Sequence, residues 1–190
     1  MQPDQLLKKG DAVIAVDVQN DFCPGGALAV EGGDQVIPVL NLWLSAAERA
    51  GVPVIASRDW HPVDHCSFKE QGGPWPVHCV QDTPGAEFHS DLKLPPGTIK
   101  VSKGTAFDRD AYSASDGTGL SGYLKQLGVK RLWVGGLAQD VCVQETVKSA
   151  CQAGFETHLL ATATRPADPA NANTSLDQMR RAGATVEEGE

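Results

Sequence analysis

Short apolar runs alternate with longer helical patterns along most of this chain. Ala12–Val16 is an unbroken apolar block and predicts a buried strand. Val52–Ser57, Thr98–Ser102, Arg131–Gly135 and Phe155–Ala161 repeat that signature, and Ala184–Val186 predicts a short last strand. Between them, Gln35–Ala50, Leu120–Leu127, Gln139–Ala153 and Asn171–Ala182 read as helices. Each is followed by a glycine, at Gly51, Gly128, Gly154 and Gly183, where a helix is expected to stop. Val143, Val147 and Ala150 share one face of the third of these helices. Strand–helix alternation of this kind predicts an α/β protein with a parallel sheet covered on both faces.

One stretch breaks the rhythm. Asp59 to Gly97 shows no sustained periodicity and is rich in Pro, Gly, His and Trp. So long a loop inside a compact domain is functional or disordered as a rule, and its Trp60, Trp75 and histidines argue for order. No repeat, linker or low-complexity tract divides the chain, so residues 1–190 are expected to form one domain.

Composition narrows the class of function. The 41% hydrophobic and 21% charged content is that of an ordinary soluble domain. A net charge of −8 with scattered basic residues argues against nucleic acid as a partner. No apolar run reaches membrane-spanning length, and the opening residues lack a signal-peptide core. Five cysteines without a CxxC pair suggest reduced thiols and a cytoplasmic protein. Whether the chain is a monomer or a homo-oligomer is not legible from these features.

Ligands of open parallel sheets bind at the carboxyl ends of the strands. Here those ends carry Asp17, Asp59, Lys103 and, a few residues beyond the fourth strand, Cys142. Cys142 is expected on the first turn of a helix, where unpaired N–H groups and the helix dipole favour a thiolate. Lys103 would stabilise that thiolate and Asp17 would move protons, giving a nucleophilic set. Each residue also has a plainer reading, as a turn cap, a surface lysine and a small core residue. Their convergence on one sheet edge favours chemistry.

Asp59 and His61 are two residues apart, so in extended chain both reach the same point, and His78 is the natural third ligand. One carboxylate and two imidazoles suit Zn, Mn or Fe, with positions left for water or substrate. A polar loop with hydrogen-bonded histidines is the alternative. His65 is a possible fourth ligand or an orienting residue, while His89 and His158 read as structural or exposed. Cys66 and Cys79 flank the histidines without zinc-finger spacing, and Cys23 and Cys151 read as packing residues. Phe22, Trp75 and Tyr112 lie near these motifs and could sandwich a flat ring, or simply pack.

The stretches Val16–Gly26, Arg58–Pro62, Trp75–Cys79, Thr83–Phe88, Lys103–Thr105 and Gly135–Val143 together resemble the nicotinamidase/pyrazinamidase branch of the isochorismatase-like cysteine hydrolases. The resemblance runs from Val13 to about Val186. Its most specific part is the pair Asp59-Trp-His-Pro62 and Trp75-Pro-Val-His-Cys79, because related hydrolases generally lack this metal site. It implies a three-layer α/β/α fold with a six-stranded parallel sheet of order 3-2-1-4-5-6, and Asp17 facing Cys142 across the switch point. It implies a catalytic set of Asp17, Lys103 and Cys142 and an oxyanion hole from the N–H groups of Ala138 and Cys142. It further implies one divalent metal on Asp59, His61 and His78, and ring binding by Phe22, Trp75 and Tyr112. A cis peptide is implied at Leu137–Ala138. The implied activity is conversion of nicotinamide to nicotinate and ammonia, a step of NAD salvage, with pyrazinamide-like amides as further substrates. One departure is Gln139, where the family usually has Thr. A relative acting on a carbamoyl, ureido or isochorismate-type substrate, and a non-catalytic metal-binding or sensing protein on the same fold, are the rival readings.

Overall fold

The computed structural model describes residues 2–189. Six strands make one all-parallel sheet: β1 Asp11–Val16, β2 Val54–Asp59, β3 Ile99–Lys103, β4 Arg131–Leu137, β5 Glu156–Arg165 and β6 Thr185–Glu187. Their order is β3-β2-β1-β4-β5-β6, the order the resemblance implies. Five α-helices accompany them: α1 Pro3–Leu6, α2 Ile37–Ala50, α3 Leu120–Gln126, α4 Gln144–Gln152 and α5 Ala172–Arg181.

The central strand shows why this architecture follows from the sequence. Every residue of β1 is buried, because both faces of the sheet are covered. Val13 and Ala15 point into a core layer with Leu40, Trp43 and Leu44 of α2. Ala12, Ile14 and Val16 point the other way, toward Leu124 of α3, Val147 and Ala150 of α4, and Met179 of α5. The period of two along β1 thus feeds two separate cores. At the switch point the neighbouring strand needs glycine. Gly136 has φ +130°, and a Cβ there would lie 2.1 Å from the Val16 carbonyl oxygen.

The predicted elements hold with four differences. α1 was not anticipated, since four residues after a proline carry no periodic signal. β2 starts at Val54 and ends on Asp59, so the acidic residue belongs to the strand itself. β5 runs four residues beyond Ala161, to Arg165, across a register shift opposite Val134 and Gly136. Finally, the helix expected over Gln139–Ala153 begins with a π-helical turn, Gln139–Val143, before α4 takes over. The long segment after β2 contains only short 3-10 turns and isolated bridges, such as His61 with Val80 and Phe68 with Trp75.

Candidate active site

The carboxyl edges of β1–β4 bring the expected residues together. Asp17 follows β1 in a left-handed conformation, φ 49°, which turns its side chain beneath the edge while its N–H donates to Ser57 O at 3.1 Å. β2 ends on Asp59 and β3 on Lys103. The π-helical turn after β4 delivers Cys142, and the Leu137–Ala138 peptide is cis.

Lys103 stands at the centre, 1% exposed. Its Nζ lies 2.5 Å from Asp59 Oδ1, 2.9 Å from Asp17 Oδ2, and 3.4 Å from both Cys142 Sγ and the Ala111 carbonyl oxygen. The contact with Asp17 is a fully buried ion pair on Oδ2, while Oδ1 accepts from Ser57 Oγ at 2.7 Å. A carboxylate oxygen has more than one lone pair, and the nearby Cys142 thiol is the group that can supply it a proton.

Electrostatics sharpens this arrangement. Burial works against an ionised Asp59, but the Lys103 charge and the bonds from His61 and His78 outweigh it and hold Asp59 well below the usual carboxylate range. Burial likewise opposes a charged Lys103, and the Asp17 and Asp59 carboxylates overcome it. Asp17 is pushed up by burial, against the pull of Lys103, with the Asp59 charge adding to the rise. Burial first, then the negative Asp17 and Asp59, push the Cys142 thiol well above its ordinary range, against the pull of Lys103. Lys103 and Asp59 are therefore the two groups whose charged forms the site favours most. The pull toward a thiolate from the helix terminus and Lys103 is thus opposed at Cys142, inside its π-helical turn, by burial and by two carboxylates.

Beside this set lies a second constellation. Asp59 Oδ2 is 3.6 Å from His61 Nε2 and 3.8 Å from His78 Nε2, and all three residues are buried. Single donor atoms from the three lie within 4.8 Å of one another. The opposite ring nitrogens are occupied: His61 Nδ1 donates to Gly104 O at 2.8 Å, and His78 Nδ1 to Pro76 O at 2.7 Å. Carbonyls in that position fix the tautomer and leave Nε2 a lone pair, as in metal-ligating histidines. Gly104, at φ +62°, is required here, because a Cβ would lie 2.4 Å from the His61 ring. The donor chemistry thus fits a divalent cation. His65 stacks on His61 with ring centroids 4.1 Å apart, but Ser67 Oγ and Arg109 O engage both its nitrogens. Those bonds orient it and leave no lone pair for a fourth ligand.

Cys142, Asp59, His61 and His78 all line one cavity of about 400 Å³. Ala138, Phe22, Trp75 and Tyr112 line it too. Trp75 Nε1 donates to Tyr112 Oη at 3.1 Å, so two of the expected ring-binding aromatics hold each other. Phe22 packs against the His78 ring at 5.7 Å. Gln139 turns away from the cavity, donating from Nε2 to Ala172 O and Ser175 Oγ, both at 2.7 Å. Its departure from the family pattern is absorbed by α5, away from the nucleophile.

Several supporting residues escaped sequence reasoning. Gln19 clamps Asp59: its Oε1 accepts from Asp59 N–H at 2.8 Å, and its Nε2 donates to Asp59 O and Ala86 O at 2.8 and 2.9 Å. Asp21 Oδ2 accepts from Cys79 N–H at 2.7 Å, tying the segment after β1 to the His78 loop. Asp140 accepts from Ala167 N–H and Asp168 N–H, at 2.6 and 3.2 Å, and so ties the nucleophile turn to the segment before α5. Gln19 and Asp21 stand in the same Asp17–Asp21 cluster as Asp17, and that density of polar residues after a buried strand was the available signal.

The chain matches the Isochorismatase domain over residues 11–190. It is 38% identical over 184 residues to the nicotinamidase/pyrazinamidase of Mycobacterium tuberculosis, covering 92% of this chain and 97% of the relative. The pyrazinamidase of Pyrococcus horikoshii, solved in complex with zinc, superposes with a TM-score of 0.91 at 43% identity, covering 95% of this chain and 99% of the other. A protein from L. infantum solved in complex with nicotinate gives 0.86 at 36% identity, covering 93% and 91%. Sequence, strand order and site composition agree, and the chain belongs to the isochorismatase-like hydrolase family, in its nicotinamidase/pyrazinamidase branch.

Proposed function

We propose that this chain, acting as a single domain, is a metal-dependent cysteine amidase that hydrolyses nicotinamide to nicotinate and ammonia and also accepts pyrazinamide-like ring amides. The observation that carries this reading is Cys142, backed by the buried Asp17–Lys103 ion pair, lining one cavity together with Asp59, His61 and His78.

Cys142 Sγ attacks the amide carbon as its proton passes to Asp17. Burial raises Asp17 and so makes it a stronger proton acceptor than an ordinary carboxylate, while Lys103 stays cationic beside the sulfur. The backbone N–H groups of Ala138 and Cys142 take the oxyanion, and losing one such donor costs on the order of 100-fold in rate. Asp17 returns the proton to the departing amine, which leaves as ammonia, and a thioester to Cys142 remains. Water then attacks that thioester. Asp17 accepts the water's proton, the C–S bond breaks, and the acid and thiol are restored. Phe22, Trp75 and Tyr112 hold the flat ring. Asp59, His61 and His78 would hold a divalent metal, which would supply an electrophilic anchor for the ring nitrogen.

Ammonia release across a small panel of amides, with and without a chelator, tests this reading. Turnover of nicotinamide that the chelator suppresses supports it. Turnover only of carbamoyl or ureido compounds, unaffected by chelator, supports the rival substrate class instead.

A further inference from the structure

Asp59 uses its two oxygens on two different cations' positions. Oδ2 faces the His61 and His78 ring nitrogens, and Oδ1 faces the Lys103 ammonium at 2.5 Å. A carboxylate that bridges in this way is the geometry of paired-metal sites, where one carboxylate spans two ions. The surroundings of Lys103 Nζ extend the parallel. Asp17, Asp59 and Cys142 each offer a donor atom within 4.8 Å of the others, all three buried. The Ala111 carbonyl oxygen, 3.4 Å from Nζ, is a fourth donor on the same point. Two carboxylate oxygens, a sulfur and a carbonyl oxygen around one buried point form a four-donor set that zinc and cobalt accept.

We infer that the Lys103 ammonium fills a second cation site, sharing Asp59 with the first, and that its presence keeps a metal off the Cys142 sulfur. The fixed positive charge supplies the counter-ion the buried donors require and cannot dissociate from the chain. A metal at the same point would bond the sulfur directly and remove it from reaction, since a coordinated thiol is bound as thiolate. Binding there would release the thiol proton and form a metal–sulfur bond with no change of oxidation state. The inference rests on the proposed metal site at Asp59, His61 and His78, and it assigns Lys103 a role as metal excluder beyond charge stabilisation.

The test compares metal content and cobalt spectra of the wild type, Lys103→Ala and Lys103→Ala/Cys142→Ala, each freed of metal and then loaded with excess zinc or cobalt(II). Wild type is expected to hold one metal per chain, to show no sulfur-to-cobalt charge-transfer absorption, and to keep Cys142 open to iodoacetamide when loaded. Lys103→Ala is expected to hold two per chain and to gain that absorption, and the double variant to lose it. A folded Lys103→Ala that holds one metal and gains no sulfur–cobalt band overturns the inference while leaving the first site intact. A wild type that holds none refutes the first site itself. Should Lys103→Ala fail to fold, Lys103→Ser provides the same comparison. The wild type is decisive by itself in one direction: a sulfur–cobalt band there, with Lys103 present, overturns the inference.

Discussion

Asp17 Oδ2 and Lys103 Nζ stand 2.9 Å apart in a fully buried ion pair. The ammonium also reaches Asp59 Oδ1 at 2.5 Å, and the Asp17 carboxylate lies next to the Cys142 thiol. Asp59 is held low by Lys103 and the histidines while burial raises Asp17, so Asp17 is the stronger proton acceptor of the two carboxylates. Replacing Asp17 with Asn removes the acceptor while keeping the shape and the Ser57 contact. The ammonia-release rate is expected to fall by about 10²–10⁴-fold, the range for a positioned proton-transfer group. Melting temperature separates this from simple unfolding. An Asp17→Asn protein of wild-type rate would remove Asp17 from the chemistry.

Metal dependence should follow the histidine pair. His61→Ala and His78→Ala each delete one nitrogen donor whose partner carbonyl, Gly104 O or Pro76 O, is already committed. Bound metal, measured by elemental analysis after dialysis, is expected to drop by at least the ~10–100-fold in affinity that losing a mere orienting partner costs. His65→Ala is expected to retain most of its metal, since Ser67 and Arg109 occupy both ring nitrogens. Equal metal loss in all three variants would contradict that distinction.

Gln139 is expected to matter for stability more than for rate. Its amide nitrogen bonds Ala172 O and Ser175 Oγ, both on α5. Gln139→Ala removes both bonds, although Ser175 Oγ still donates to Ala172 O at 2.9 Å, so the cost is on the order of 1 kcal/mol, seen as an earlier denaturation midpoint. Nicotinamide turnover per folded molecule is expected to stay within about tenfold, a loss below the 10²–10³ of a missing oxyanion donor.

The opposite end of the sheet supplies a pH prediction. Asp11 accepts from Arg131 Nε at 2.8 Å and from Nη2 at 2.7 Å. Burial opposes ionisation of Asp11, but the Arg131 and Lys8 bonds outweigh it, so its folded value lies below the ordinary one. A depressed carboxylate contributes stability that is full above its unfolded pKa and is lost as pH falls through the folded value. Asp11→Asn should therefore be less stable than wild type at neutral pH, by roughly 2 kcal/mol. The gap should close as the pH drops below about 4, near the unfolded carboxylate value. Denaturant midpoints across pH check it, and a gap that widens in acid would contradict the sign.

Much of this site was legible from sequence because its chemical residues stand at or shortly after the ends of apolar runs. Val16 precedes Asp17, Ser102 and Val101 precede Lys103, and the block ending at Leu137 precedes the Cys142 turn. The contribution of Gln19 was not legible, because it acts through the main chain of residues 40 and 67 positions away. The π-helical turn was hidden too, since Val143, Val147 and Ala150 keep helical spacing whether or not the first turn is wide. The upward push on the Cys142 thiol depends on burial and on two carboxylates meeting one ammonium, and a linear order of residues carries no such distances.

The central claim is that Cys142 forms the bond to the amide carbon, and the rate of ammonia release from nicotinamide by metal-loaded Cys142→Ala tests it most directly. The fold should survive, because an alanine fits a 6%-exposed position packed against an apolar layer. A fall on the order of 10⁴-fold or more is expected, as when a covalent nucleophile is deleted. A Cys142→Ala protein that releases ammonia at the wild-type rate would contradict it.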